Sequence, residues 1–141
     1  MSTLEKAIEI AARAHAWQVD KAGQPYILHP LRVMLGVTRL EERITAVLHD
    51  VIEDTTLTYT YLSWQGFSPE ILEALRALTK LKKEKRIDAA KRAGVNAIAR
   101  VVKIADVKDN MDLSRLPYLT PRDCKRMNEY KQVLEYLTNL G

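Results

Sequence analysis

Residues 44–54 read Ile44-Thr45-Ala46-Val47-Leu48-His49-Asp50-Val51-Ile52-Glu53-Asp54. Ile44, Val47, Leu48, Val51 and Ile52 recur at three- and four-residue intervals, the period of one helical face, which predicts a helix over about 41–53. Into this stripe the sequence sets four ionisable groups: His49, Asp50, Glu53 and Asp54. Adjacent side chains on a helix diverge by about 100°, so His49 and Asp50 can lean toward one point at the helix flank. Glu53 and Asp54 follow one turn on. Burying such a set on an apolar helix is costly unless something positive compensates it, and a divalent cation does so. An acidic helix end in water is the other reading, and this segment alone leaves both open.

The same period extends in both directions. Ser2 and Glu5 have capping-box spacing, and Leu4, Ala7, Ile8, Ala11 and His15 form a stripe behind them. On that stripe His15 reads as a core histidine. Gly23-Gln24-Pro25 breaks the helix. Tyr26 to His29 is expected to run extended because a residue before proline disfavours the α region, and Pro30 then opens a helix over 30–39. Thr58 is placed to cap a short helix ending at Gly66, and Ser68-Pro69-Glu70 starts another. Residues 80–93 are basic and close at Gly94; a helical pattern over 97–113 and a last helix from Thr120-Pro121 complete the chain. Strict alternation is missing throughout, so the expected fold is all-α, a bundle of roughly six or seven helices.

A second polar cluster lies in the 97–113 segment. Asp106 follows the apolar run Ile98, Val101, Val102, Ile104, where a carboxylate needs a partner. Asn110 lies one turn on, and a surface or capping role explains it equally well. His29 is held at a loop–helix junction by Pro30. Two imidazoles and two carboxylates suit a transition metal with positions left for water and a phosphate oxygen.

With 141 residues, 47% hydrophobic and 28% charged, the chain reads as one folded domain spanning 1–141. A net charge of +4 and a pI near 9.2 permit an anionic ligand. No nucleic-acid-binding module is recognisable. The single cysteine, Cys124, excludes an intrachain disulfide and fits a reducing compartment. No apolar run approaches the roughly 20 residues of a membrane span, and the N-terminus lacks the order of a secretion signal. A cytoplasmic protein with no membrane partner is expected; oligomeric state is not legible.

Three segments then carry a resemblance: Lys21-Ala22-Gly23-Gln24-Pro25-Tyr26-Ile27-Leu28-His29-Pro30, Leu48-His49-Asp50-Val51-Ile52-Glu53-Asp54-Thr55, and Lys103-Ile104-Ala105-Asp106 with Asn110. In this order they resemble the HD superfamily of metal-dependent phosphohydrolases, and within it the hydrolase domain of RelA/SpoT proteins and the small alarmone hydrolases. The resemblance implies an HD-domain helical bundle binding Mn2+ or another divalent metal, and removal of the 3′-pyrophosphate from guanosine tetra- or pentaphosphate. It implies His29, His49, Asp50 and Asp106 as metal ligands, and Glu53 and Asp54 as the acidic pair that handles the attacking water. It also implies Lys21, Tyr26, Asn110 and Tyr130 as nucleotide contacts, although packing explains Tyr130 as well. The sequence departs from the family at two places: Asp20 and Asp112 stand where arginines are usual. Lys82 and Arg86, in the basic stretch, are the candidates to replace that charge; a solvated face is the other reading. The further domains of long family members have no room in 141 residues, so degradation alone is expected. Two alternatives stay in view: an HD hydrolase acting on another nucleotide, and a nucleotide-binding or sensing module without turnover.

Overall fold

A computed structural model describes residues 2–140. Among them it contains nine helices and no strand: α1 (Leu4–Ala14), α2 (Leu28–Leu35), α3 (Leu40–Leu48), α4 (Val51–Asp54), α5 (Tyr59–Trp64), α6 (Pro69–Leu78), α7 (Arg86–Gly94), α8 (Ala97–Asn110) and α9 (Pro121–Thr138). The fold is the all-helical bundle expected, with nine helices among the described residues where six or seven were expected, in part because the 41–53 segment divides into α3 and α4.

Most helix starts follow from side chains that satisfy the first free backbone N–H groups. Thr58, Ser68 and Asn96 each accept from the amide three residues on. Thr120 and Asp123 form a reciprocal capping box at α9. At α1 the cap is Thr3, which accepts from the Lys6 amide at 3.1 Å, and not the expected Ser2. The Ser2 hydroxyl instead donates to the Gln65 carbonyl, tying the N-terminus to the end of α5.

Two expectations are corrected around the polar motifs. Residues 27–29 are not extended: α2 begins at Leu28, so His29 and Pro30 lie in its first turn. A proline there lacks only an N–H that would have no helical partner in any case. The predicted helix over 41–53 is interrupted at His49-Asp50, which separate α3 from α4. His49 supplies the reason. Its Nδ1 lies 2.5 Å from the Ala46 carbonyl oxygen, which also accepts the His49 amide. Ala46 O is thereby diverted from the regular ladder, and the chain turns with the imidazole buried inside.

Helix α3 lies at the centre, packed against α1, α2, α6 and α8. Ala46, Val47, Leu48, Val51 and Leu62 are fully buried in the main core. Val107, Val133 and Leu137 belong to a second cluster beneath α9. Truncating Leu62, which has no exposed surface, deletes buried methyl groups and leaves a void. Leu62→Ala is therefore expected to cost about 2–5 kcal/mol in denaturant unfolding.

The basic stretch before α7 is pinned by Arg92. Its guanidinium makes two bonds to Glu84, at 3.0 and 2.8 Å, and further bonds to the carbonyls of Arg76 and Thr79. The Arg92 charge holds the Glu84 carboxyl down to about 2. A carboxyl with a lowered pKa in the folded state stabilises the fold above its unfolded value, roughly 4.3, and loses that contribution as pH falls toward 2. Glu84→Gln is thus expected to lower the Tm at pH 7 and to match the parent chain near pH 2, as read by thermal melts.

Candidate metal centre and cavity

Two helices and one helix break bring the sequence motifs together. His29 comes from the first turn of α2, His49 and Asp50 from the α3–α4 break, and Asp106 from the third turn of α8. His29, His49 and Asp106 place ligand atoms within 4.8 Å of one another. Asp50 Oδ2 lies 3.1 Å from His49 Nε2 and 3.7 Å from His29 Nε2. All four side chains are largely buried, none more than 16% exposed.

The direction of each imidazole is set from behind. His49 Nδ1 donates to the Ala46 carbonyl at 2.5 Å, and His29 Nδ1 lies 2.7 Å from Asp109 Oδ2. Both Nε2 atoms therefore point at the carboxylates of Asp50 and Asp106. His49 Nε2 is buried and hydrogen-bonds neither of them, although it lies 3.3 Å from Asp106 Oδ1. An unpartnered imidazole nitrogen facing two acceptor-only groups is stable if protons or a cation neutralise the gap. This donor set, nitrogen and oxygen atoms converging from separate elements, fits a divalent transition metal.

The electrostatics describe the same convergence. Burial works against a charged His49, but Asp50 and Asp106 outweigh it and push its pKa well above the usual imidazole value. Burial likewise opposes an ionised Asp106, yet Lys103 and His49 hold its carboxyl well below the usual range. Lys103 Nζ stands 3.2 Å from Asp106 Oδ2. Asp50 receives the Tyr26 hydroxyl at 2.5 Å, and burial and Asp50 together raise the phenol strongly, so Tyr26 remains the donor. The Tyr26 ring lies between His15 and His29. His15 is 2% exposed and bonds Gln18 through Nδ1.

Glu53 and Asp54 are solvent-accessible at the cavity wall. Partial burial and the Asp50 charge raise both carboxyls. Glu53 Oε1 also accepts from the Lys80 amide at 3.2 Å.

These groups open into a cavity of about 420 Å³ between the histidine–carboxylate cluster, α7 and α9. Lys21, Tyr26, Asn110, Tyr130 and Arg86 line it. Asn110 Nδ2 donates to Asp106 Oδ1 at 3.3 Å, and the Arg86 guanidinium lies 4.7 Å over the Tyr130 ring. Lys82 does not line the cavity and is exposed; Lys80, Lys103 and Arg126 line it instead. Lys82 lies in a turn with Lys83, whose φ is positive at 65°. Sequence reasoning also passed over Asp109 as a site residue, and only its i,i+3 relation to Asp106 marked it.

The two departures from the family pattern have local structural roles. Asp20 Oδ1 accepts the amides of Ala22 and Gln24, each at 2.9 Å, and builds the turn that includes Gly23 at φ +80°. Asp112 accepts from Ser114 and pairs with Arg115 at 3.0 Å.

The sequence profile of an HD domain matches residues 7–111, and the chain belongs to that family. A probable GTP pyrophosphokinase of Mycobacterium leprae is 34% identical over 154 residues, covering 100% of this chain and 19% of the relative. A guanosine-3′,5′-bis(diphosphate) 3′-pyrophosphohydrolase of Aquifex aeolicus is 37% identical over 86 residues, covering 58% of this chain and 12% of the relative. The chain thus spans less than a fifth of these curated relatives. A solved structure, described as a metazoan ortholog of SpoT that hydrolyzes ppGpp, superposes with a TM-score of 0.83 at 22% identity. That superposition covers 97% of this chain and 86% of the other. Among the described residues, no helix is long and apolar enough to cross a membrane.

Proposed function

We propose that this chain, residues 1–141 acting as one HD-type unit in the cytoplasm, is a metal-dependent phosphohydrolase that removes the 3′-pyrophosphate from guanosine tetra- or pentaphosphate. The observation that carries the reading is the convergence of His29 Nε2 and His49 Nε2 on Asp50 and Asp106, with Glu53 and Asp54 at the adjoining wall. The curated relatives' names supply the substrate class, and the superposition supports the fold on which it rests.

His29, His49, Asp50 and Asp106 would hold the ion, Mn2+ being the first candidate. When bound, a divalent cation supplies Lewis-acid polarisation of a phosphate oxygen and a lowered pKa for water. Glu53 or Asp54 accepts the proton of the water that attacks the 3′-linked phosphorus. The bond between phosphorus and the ribose 3′ oxygen breaks, the oxygen leaves as a hydroxyl after protonation, and pyrophosphate is released. Lys80, Arg86, Lys103 and Arg126 give the cavity a positive wall for a polyphosphate, and its size is ordinary for a small-molecule site. Lys21, Tyr26, Asn110 and Tyr130 are the proposed nucleotide contacts; the Tyr26 hydroxyl is committed to Asp50, so its share of the nucleotide falls to the ring.

A second reading is hydrolysis of another nucleotide by the same centre. It is favoured by Asp20 and Asp112, whose carboxylates occupy positions where the resemblance leads one to expect guanidinium groups. A manganese-supplemented screen separates the readings. Guanosine tetraphosphate yielding pyrophosphate and guanosine diphosphate supports the first; orthophosphate or pyrophosphate from a different nucleotide, with none from the tetraphosphate, supports the second. Tight nucleotide binding without product under manganese would leave a binding module.

A further inference from the structure

We infer that Asp109, anchored by Arg32, is a positioning residue that fixes which nitrogen of His29 faces the metal centre. The inference rests on the metal reading proposed above and goes beyond it in naming a device on the far side of the imidazole.

The geometry is a chain of three groups. His29 Nδ1 lies 2.7 Å from Asp109 Oδ2. The Arg32 guanidinium grips the same carboxylate from the side, with Nε donating to Oδ1 at 2.7 Å and Nη2 to Oδ2 at 3.0 Å. Arg115 adds a bond from Nη2 to the Asp109 carbonyl oxygen at 3.0 Å. The Asp109 side chain is 12% exposed, so this carboxylate sits in partial shelter from water.

An ionised carboxylate only accepts, so the proton in the His29–Asp109 contact belongs to Nδ1. The Arg32 fork fixes the carboxylate plane, which a single-point contact would leave free to rotate. With Nδ1–H so held, Nε2 is delivered toward Asp106 Oδ1, 2.9 Å away. An imidazole's ligating nitrogen is selected by the bond its other nitrogen makes. Arg32 and His29 share helix α2 while Asp109 and Asp106 share α8, so the pair also locks the two ligand-bearing helices in register.

A purely structural bridge between α2 and α8 would leave metal affinity untouched, and this separates the two roles. The wild-type chain is first titrated with Mn2+ by calorimetry, and its Co2+ complex is recorded by visible absorption, a reporter of coordination geometry. If the wild type takes up neither ion, the metal reading itself falls. If it does, Asp109→Ala is expected to weaken Mn2+ binding about 10–100-fold and to alter the cobalt spectrum. Arg32→Met is expected to lose about three- to tenfold, because the carboxylate stays but its plane is freed. In the double variant, Arg32→Met should add less than about twofold to the Asp109→Ala loss, since Arg32 acts through Asp109. An Asp109→Ala protein within about twofold of wild type, with the wild-type cobalt spectrum, overturns the inference. So does an Arg32 effect that multiplies in full with that of Asp109. Should Asp109→Ala fail to fold, Arg32→Met decides the matter alone, and a loss under about twofold overturns it.

Discussion

Replacing His49 with alanine, or Asp50 with asparagine, is expected to reduce metal-dependent pyrophosphate release at least about 10³-fold, beyond the ~100-fold that loss of an outer partner costs. The two variants fail for different reasons. His49→Ala removes the imidazole nitrogen that the Ala46 carbonyl orients toward the carboxylates, and with it one proposed ligand. Asp50→Asn preserves the shape of the site and removes one negative charge, leaving an amide in the position of an anionic ligand. Because Asp50 Oδ2 also receives the Tyr26 hydroxyl, and an amide oxygen can accept that bond, the asparagine variant should remain folded. Circular dichroism and Mn2+ calorimetry, run beside the turnover assay, separate a lost ligand from a lost fold. A variant that hydrolyses nucleotide at the parental rate in the presence of a chelator would refute the assignment.

Removing whichever of Glu53 and Asp54 serves as base, by Glu53→Gln or Asp54→Asn, is expected to lower turnover by about 10²–10⁴-fold, the usual worth of a positioned general base, while Mn2+ affinity changes little. Glutamine keeps the oxygen that accepts the Lys80 amide, so the local backbone should hold. What it cannot do is take a proton. Asp54→Asn forms the natural pair: the carboxylate that serves as base should show the larger loss in kcat at unchanged KM, and its partner the smaller. Equal and modest losses in both, below about tenfold, would remove proton transfer by this pair from the mechanism.

Helix class and most helix starts were legible because they depend on local chemistry. Thr58, Ser68-Pro69 and Thr120-Pro121 cap their helices by satisfying amides within three residues, and such signals survive in a bare sequence. The interruption at His49-Asp50 was not legible. The apolar period runs straight through it, and the break arises from an imidazole turning back to a carbonyl three residues earlier. The convergence of histidines and carboxylates could be assembled from motif order, yet the difference between Lys80 and Lys82 could not, since both sit in one basic stretch and only the folded chain separates them. Asp109 was hidden for the opposite reason. It stands between Asp106 and Asn110, but the partner that gives it meaning, Arg32, is 77 positions away.

The donors at 29, 49, 50 and 106 come from parts of the chain that only the assembled bundle holds side by side. Under the proposed reading, ion capture and chain collapse therefore form a single thermodynamic cycle. At a free ion concentration a hundred times its Kd, the native bundle gains about 2.7 kcal/mol over the denatured ensemble. Scarcity of the ion would then reach the cell twice, as lost turnover and as a larger share of molecules open to proteolysis.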